Sequence, residues 1–238
     1  MKKIMKKTMN TSGKAGIVVI GILAVLFLTG NGVQDIINGS GPIVCFGDSL
    51  TAGMGASIPG ADDRSKAYPG FLQKKVKPRV INAGISGDTV TGALARVYTD
   101  VLANNPRMVI VCIGGNDVLA NNDILITYNN LAAILNILND GRRKIYLAKF
   151  YNEATMRQTL DFFGLDLYVQ NEVIHAYDTM FTTLASTYNV ELINDIWSGV
   201  WGIHMSDAIH PDAAGYEIMA EHFFNAIKPY LEANNLLR

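Results

Sequence analysis

The sequence predicts an α/β fold, a three-layer α/β/α sandwich with a five-stranded parallel sheet. Three observations predict it. Five short apolar runs recur along the chain, helical periods separate them, and the runs lack the polar alternation of a half-solvated sheet. Several of the runs also end in small or polar residues.

The first run is PIVCF (42–46) and the second is RVIN (79–82). Val90, Leu94, Val97 and Val101 then fall at spacings of four, three and four, one stripe of an amphipathic helix. RMVIVCIG (107–114) is the third strand, and Tyr128, Leu131, Leu135 and Leu138 mark the next helix. KIYLAKF (144–150) is the fourth strand. Residues 151–165 show no clear period and are expected to form a flap or lid segment. A long helix is expected over 166–188, followed by VELIN (190–194) as the fifth strand. The last helix is expected to start at Pro211, whose fixed φ suits a first helical position, and to reach about residue 234.

The N-terminus is of another kind. Lys2, Lys3, Lys6, Lys7 and Lys14 occur without an acid, and the uncharged AGIVVIGILAVLFLT (15–29) follows. As a helix that run is roughly 22 Å long, short of a ~30 Å hydrocarbon core. Residues 1–29 are expected to be a signal peptide or N-terminal membrane anchor, residues 30–41 (GNGVQDIINGSG) a linker, and residues 42–238 the functional domain. The positive flank predicts an extracytoplasmic domain, anchored by that segment or released after its cleavage. Cys45 and Cys112 lie inside strand-like runs and read as small buried residues, with a disulfide as the alternative.

The net charge of −1 and the lack of an arginine–aromatic block exclude a nucleic-acid partner. GDTVTGAL (87–94) has the glycine spacing of a phosphate loop, but Ala93 and Leu94 stand where Lys and Ser/Thr are required. No Cys/His cluster suggests a metal. No cofactor and no required protein partner are expected.

What remains is acyl-transfer chemistry. Ser49 follows the first strand in GDSL (47–50), where open parallel sheets hold their ligands. A serine hydroxyl needs a base, a histidine has the suitable pKa, and an acid fixes the tautomer of that histidine. Asp207 and His210, three residues apart in SDAIHPDAAGY (206–216), suit the last two roles. NAGISGDT (82–89) and GGND (114–117) offer oxyanion donors: the backbone N–H of Ser49, that of Gly87 and the Asn116 amide. Plainer readings stand beside these. Ser49 would serve as a helix cap, Asp48 as a brace of its loop, and Gly87, Asn116 and Asp117 as turn residues. His204 is a rival base, three residues before Asp207, and His175 and His222 read as helix surface or packing residues.

These blocks carry a resemblance. GDSL with Gly53, Gly87 in SGDT, Asn116 in GGND, and Asp207 to His210 in DAIHP resemble the four ordered blocks of the SGNH hydrolase superfamily, the GDSL esterases. NAGISGDTVTGALARV further resembles the branch of bacterial multifunctional acyl-CoA thioesterase, lysophospholipase and arylesterase. The resemblance implies a flavodoxin-like sheet and a serine esterase acting on a small-molecule or lipid ester. It implies Ser49 as nucleophile, His210 as base, Asp207 as orienting acid, and Ser49, Gly87 and Asn116 as oxyanion hole. Phe162, Phe163 and Tyr168 are candidates for the wall of an acyl pocket, or for ordinary packing. The alternatives are an O-acetyl esterase of cell-envelope carbohydrate and a non-catalytic membrane-tethered binding protein of the same fold.

Overall fold

A computed structural model describes residues 41–238. The expected signal or anchor (1–29) and the linker up to residue 40 lie outside the described residues. Among the described residues no helix is long and apolar enough to cross a membrane.

The sheet is built from β1 (Ile43–Gly47), β2 (Val80–Gly84), β3 (Met108–Cys112), β4 (Lys144–Ala148) and β5 (Glu191–Ile193). Every pairing is parallel, and the spatial order is β2-β1-β3-β4-β5. β1 and β3 are buried at each position, since each has a strand on both sides and helices over both faces. Only apolar or small residues fit there, which is why IVCF and MVIVC run unbroken. The edge strands β2 and β5 keep partly exposed positions.

The flanking helices are α1 (Ser49–Ala52), α2 (Tyr68–Gln73), α3 (Val90–Arg96), α4 (Gly115–Leu119), α5 (Ile124–Leu138), α6 (Glu153–Phe162), α7 (Leu167–Tyr188) and α8 (Ala213–Ala233). α2 packs on α8, where the Tyr68 and Phe223 rings stack 4.0 Å apart. α5 packs against α3 and α7, and α6 lies on α7.

This order has a chemical consequence. The chain leaves β1 to one side to make β2, then returns to the other side for β3. The reversal falls between the carboxyl ends of β1 and β3, where Gly47 pairs with Cys112. Crevices at such reversals bind ligands. The crevice here is flanked by α1, which begins at Ser49, and α4, which contains Asn116.

Three elements differ from the sequence expectation. The stripe over 90–101 is not one helix: α3 stops at Arg96, whose backbone leaves the helical region (φ −112, ψ 4), and a π turn follows over Val97–Val101. Val90, Val97 and Val101 stay buried, while the Arg96 side chain turns under the strand ends. Within residues 151–165, expected as a flap or lid segment without a clear period, Glu153–Phe162 form the regular helix α6. Asn152 caps it with a reciprocal pair, Thr155 N–H to Asn152 Oδ1 and Asn152 N–H to Thr155 Oγ1, each 2.9 Å. Its inward positions are Thr155, Met156 and Leu160, too few for a clear stripe. Finally, α8 starts at Ala213 and not at Pro211, because Asp212 caps it by accepting the Gly215 N–H at 2.8 Å. Pro211 instead bridges to Met205, closing residues 205–211 into a loop.

Cys45 and Cys112 are free and buried on neighbouring strands. Burial pushes the Cys45 thiol up to about 12 and moves Cys112 the same way, so both stay protonated and unreactive.

Candidate active site

The turn after β1 is set by Asp48. Its Oδ1 accepts the Leu50 N–H at 3.1 Å, and its carbonyl accepts the N–H groups of Thr51 and Ala52. Asp48 is therefore the cap of α1, and Ser49 is the first helical residue. The Ser49 N–H has no partner among the described residues. A side chain at Gly47 would overlap the Cys112 carbonyl and the Thr51 hydroxyl, so only glycine allows this sharp exit from the sheet. From outside, the Tyr216 hydroxyl donates to the Met54 carbonyl at 2.8 Å, and the Asn82 amide donates to the Thr51 carbonyl at 2.7 Å.

The loop over 205–211 brings the imidazole to this turn. His210 Nε2 lies 3.0 Å from Ser49 Oγ, and His210 Nδ1 lies 2.8 Å from Asp207 Oδ2. Asp207 Oδ1 also accepts the backbone N–H groups of Ile209 at 2.9 Å and His210 at 2.8 Å. Burial pushes the Asp207 carboxyl up, but the Ile209 N–H and the His210 contacts outweigh it and hold the group below its ordinary value. The carboxylate thus draws the imidazole proton to Nδ1, leaving Nε2 to accept from the Ser49 hydroxyl. His204 is not brought to Ser49. Its Nδ1 faces Oδ2 of Asp212, the α8 cap, at 3.8 Å.

Asn116 lines the same pocket as Ser49 and His210. Its Nδ2 donates one hydrogen to the Asp88 carbonyl at 2.8 Å, which leaves the second free to meet an oxyanion. Gly87 sits next to Asp88 in the loop after β2, with a φ of +80 that favours glycine. Its N–H has no partner among the described residues, but Gly87 is not itself a wall of the pocket. Asp117 is a buried hub rather than a turn residue. It is 1% exposed, and its carboxylate accepts the Val90 N–H at 2.9 Å and contacts the Thr127 hydroxyl at 3.3 Å.

Arg96 was not visible as a site residue in the sequence, where it is one of several basic positions outside the apolar stripe. Its guanidinium joins Asp88 Oδ2 at 2.7 Å, the Ala83 carbonyl at 2.8 Å and the Gly47 carbonyl at 2.8 Å. It thereby ties the ends of β1 and β2 to the loop holding Gly87 and Asp88. Arg96→Met leaves the half-buried Asp88 charge without its ion pair and takes a donor from the Ala83 and Gly47 carbonyls, of which Gly47 still accepts the Ile85 N–H at 3.1 Å. We expect it to lower unfolding free energy by about 3–5 kcal/mol in urea titrations. A change within about 0.5 kcal/mol, the range of ordinary surface substitutions, would show that solvent replaces the network.

Asp48 also titrates unusually. Burial is the main cause, the charges of Asp88 and Asp117 add to it, and the carboxyl is pushed up to about 7 from 3.8. The folded state therefore holds this proton more tightly than the unfolded chain. Stability from this group is full below about pH 4 and falls as the pH rises to about 7. Asp48→Asn keeps an oxygen for the Leu50 N–H without the charge. It is expected to flatten that fall and to stabilise the protein at pH 8 by up to about 4 kcal/mol. Urea titrations from pH 4 to pH 8 that give wild type and variant the same slope would contradict this.

Beside Ser49 the surface opens into an apolar pocket of about 70 Å³. Val118 and Leu119 form one wall, Met156 and Thr159 of α6 another, and Trp197 and Trp201 a third. Phe162, Phe163 and Tyr168 do not wall it and are not in the core; they are 69%, 52% and 73% exposed, and the Phe162 and Phe163 rings meet edge to face at 5.3 Å. The pocket aromatics were missed in the sequence because they come from loops with no period. His222 Nε2–H donates to the Ser198 carbonyl (2.8 Å), and His175 lines a separate polar cleft with Lys149 and Asp178.

The chain is similar to known proteins. The family model described as "GDSL-like Lipase/Acylhydrolase family" matches residues 45–218. Esterase TesA of Pseudomonas aeruginosa is 26% identical over 221 residues, covering 89% of this chain and 96% of the relative. Thioesterase 1/protease 1/lysophospholipase L1 of Escherichia coli K12 is 27% identical over 192 residues, 79% of this chain and 83% of the relative. Acetylxylan esterase of Geobacillus stearothermophilus is 29% identical over 184 residues, 68% and 79% of the two chains. A solved structure of TesA matches with a TM-score of 0.65 and 26% identity, covering 79% of this chain and 98% of that one.

Proposed function

The chain belongs to the GDSL-like lipase/acylhydrolase family and is an ester hydrolase, and from that premise we propose that it works through an acyl-enzyme on Ser49. In this reading His210 Nε2 takes the Ser49 proton as Oγ attacks the ester carbonyl. The Ser49 N–H, the Gly87 N–H and the Asn116 amide receive the oxyanion. Asp207 steadies the imidazolium, which then protonates the leaving alcohol. Water activated by the same imidazole releases the acid and restores the hydroxyl. The chemistry needs no metal or cofactor. Lysophospholipase-, arylesterase- and thioesterase-like substrates all fit it.

The observation that carries the reading is the unbroken hydrogen-bond chain Ser49 Oγ–His210–Asp207, at 3.0 and 2.8 Å. The test is a fluorophosphonate ester. It should add one mass equivalent, mapped by peptide mass spectrometry to Ser49. Labelling of another residue, or none beside active hydrolysis, would overturn the assignment.

A second reading is an O-acetyl esterase of cell-envelope carbohydrate. The small pocket beside Ser49 favours it, and so does the likeness to an acetylxylan esterase. Release of acetate from acetylated glycans, set against aryl acetates, distinguishes the two. The lysine-flanked apolar run over 15–29 supports extracytoplasmic placement, with the segment either anchoring the domain to the membrane or removed. The intact mass of the exported protein tests which.

A further inference from the structure

The pocket beside Ser49 takes part of its wall from two elements that are distant in sequence. Trp197 and Trp201 stand edge to face, with ring centroids 5.3 Å apart and planes at 83°. Trp197 is fixed: it is 4% exposed and its indole N–H donates to the Phe150 carbonyl at 2.6 Å. Trp201 is less enclosed, and its indole N–H donates to Gln158 Oε1 on the exposed face of α6. The hydrogen bond spans from the loop preceding Asp207 and His210 to the helix that supplies Met156 and Thr159. It acts as a clasp across the pocket.

We infer that the Trp201–Gln158 clasp limits this enzyme to esters of short acyl groups, from acetyl to about butyryl. The inference rests on the reading of Ser49 as nucleophile and narrows its substrate class. Size supports it first. A pocket of about 70 Å³, at about 10–15 Å³ for each water-sized group seated, holds about five to seven such groups. An acyl group attacked by Ser49 keeps its carbonyl at Oγ and lays its tail against the pocket wall, to which the tryptophan pair belongs. Chemistry supports it next. The walls are almost wholly apolar, so they reward burial of a short alkyl group and offer nothing to a charged acid. Rigidity supports it last. The Trp197 N–H bond and the contact between the rings leave Trp201 little room to swing inward, and the Gln158 bond holds it from swinging out. The clasp leaves the alcohol side of the ester unrestricted, which is compatible with aryl, glyceryl and sugar alcohols alike.

The test is a series of p-nitrophenyl esters from acetate to dodecanoate. For wild type, kcat/KM should peak between acetate and butyrate and fall at least tenfold by octanoate. One methylene that a filled apolar pocket cannot seat carries ~10–200-fold. Trp201→Ala should raise the octanoate-to-butyrate ratio at least tenfold. Trp201→Phe keeps the ring but not the N–H, and Gln158→Ala removes the acceptor. Both should move the ratio in the same direction by less. A wild-type optimum at octanoate or longer overturns the inference and leaves Ser49 catalysis standing. So does an unchanged ratio in a Trp201→Ala protein whose circular dichroism matches wild type. If Trp201→Ala does not fold, the wild-type series and Gln158→Ala, which lies on an exposed helix face, still decide. Absence of hydrolysis across the whole series, with no labelling of Ser49 by the fluorophosphonate, would overturn both the inference and the reading beneath it.

Discussion

Ser49→Ala is expected to lower kcat/KM by about 10⁴–10⁶ for every ester the protein hydrolyses, since loss of a triad serine removes the nucleophile and not merely a contact. The expectation is sharp because the fold does not need this hydroxyl. A serine after an aspartate reads equally well as a helix cap, and a cap would cost about 1 kcal/mol when removed. The structure gives that duty to Asp48, whose Oδ1 holds the Leu50 N–H. The recorded side-chain contact of Ser49 is with His210 Nε2. Activity should therefore fall by orders of magnitude while urea stability stays within about 0.5 kcal/mol of wild type. The double variant Ser49→Ala/His210→Ala should be no slower than either single one, because residues that act as a unit do not add. Steady-state assays with p-nitrophenyl acetate check this. A variant keeping a tenth of wild-type activity would remove Ser49 from the mechanism.

The sheet was legible in the sequence because burial on both faces leaves no freedom. Ile43 to Phe46 and Met108 to Cys112 have to be apolar, so the strands announced themselves. Much of the site was legible for a related reason. Parallel strands deliver their carboxyl ends to one edge, so Ser49 and Asn116 had to lie near one another once β1 and β3 were seen as neighbours. Gly87 was only half legible: it lies in the right loop, one residue from the carbonyl that holds Asn116, but outside the pocket wall. Contacts that depend on side-chain reach were not legible. Arg96 spans from α3 to the Gly47 carbonyl, 49 residues away along the chain, and no period marks such a reach. Trp197, Trp201 and Gln158 meet across 43 residues for the same reason. The helical character of α6 was not legible, because one cap pair and three inward residues are a thin helical signal.

Asp207→Asn is expected to cost about 10⁴-fold in kcat with little change in KM, as loss of tautomer control does in other triads. This variant separates chemistry from architecture. Asp207 Oδ1 accepts two backbone N–H groups, from Ile209 and His210, and an asparagine oxygen can keep both. The loop that carries the imidazole then stays in place. The other oxygen becomes an NH₂ facing His210 Nδ1 across 2.8 Å. A donor there at the shorter distance favours an accepting Nδ1, against the retained Oδ1 at 3.0 Å, and so favours the ring proton on Nε2. That nitrogen faces Ser49 Oγ and, so protonated, can no longer take its proton. Asp207→Ala would remove the backbone acceptors as well, so its rate loss should come with a measurable loss of stability that Asp207→Asn lacks. The carboxyl is held below its ordinary value, so wild type carries the charge throughout the range from about pH 5 to pH 9. At the alkaline end of that window, where imidazoles are neutral in both proteins, the fold-loss in Asp207→Asn should be nearly constant. A loss that appeared only at the acid end would indicate weakened folding, and an unchanged kcat would show that another group orients His210.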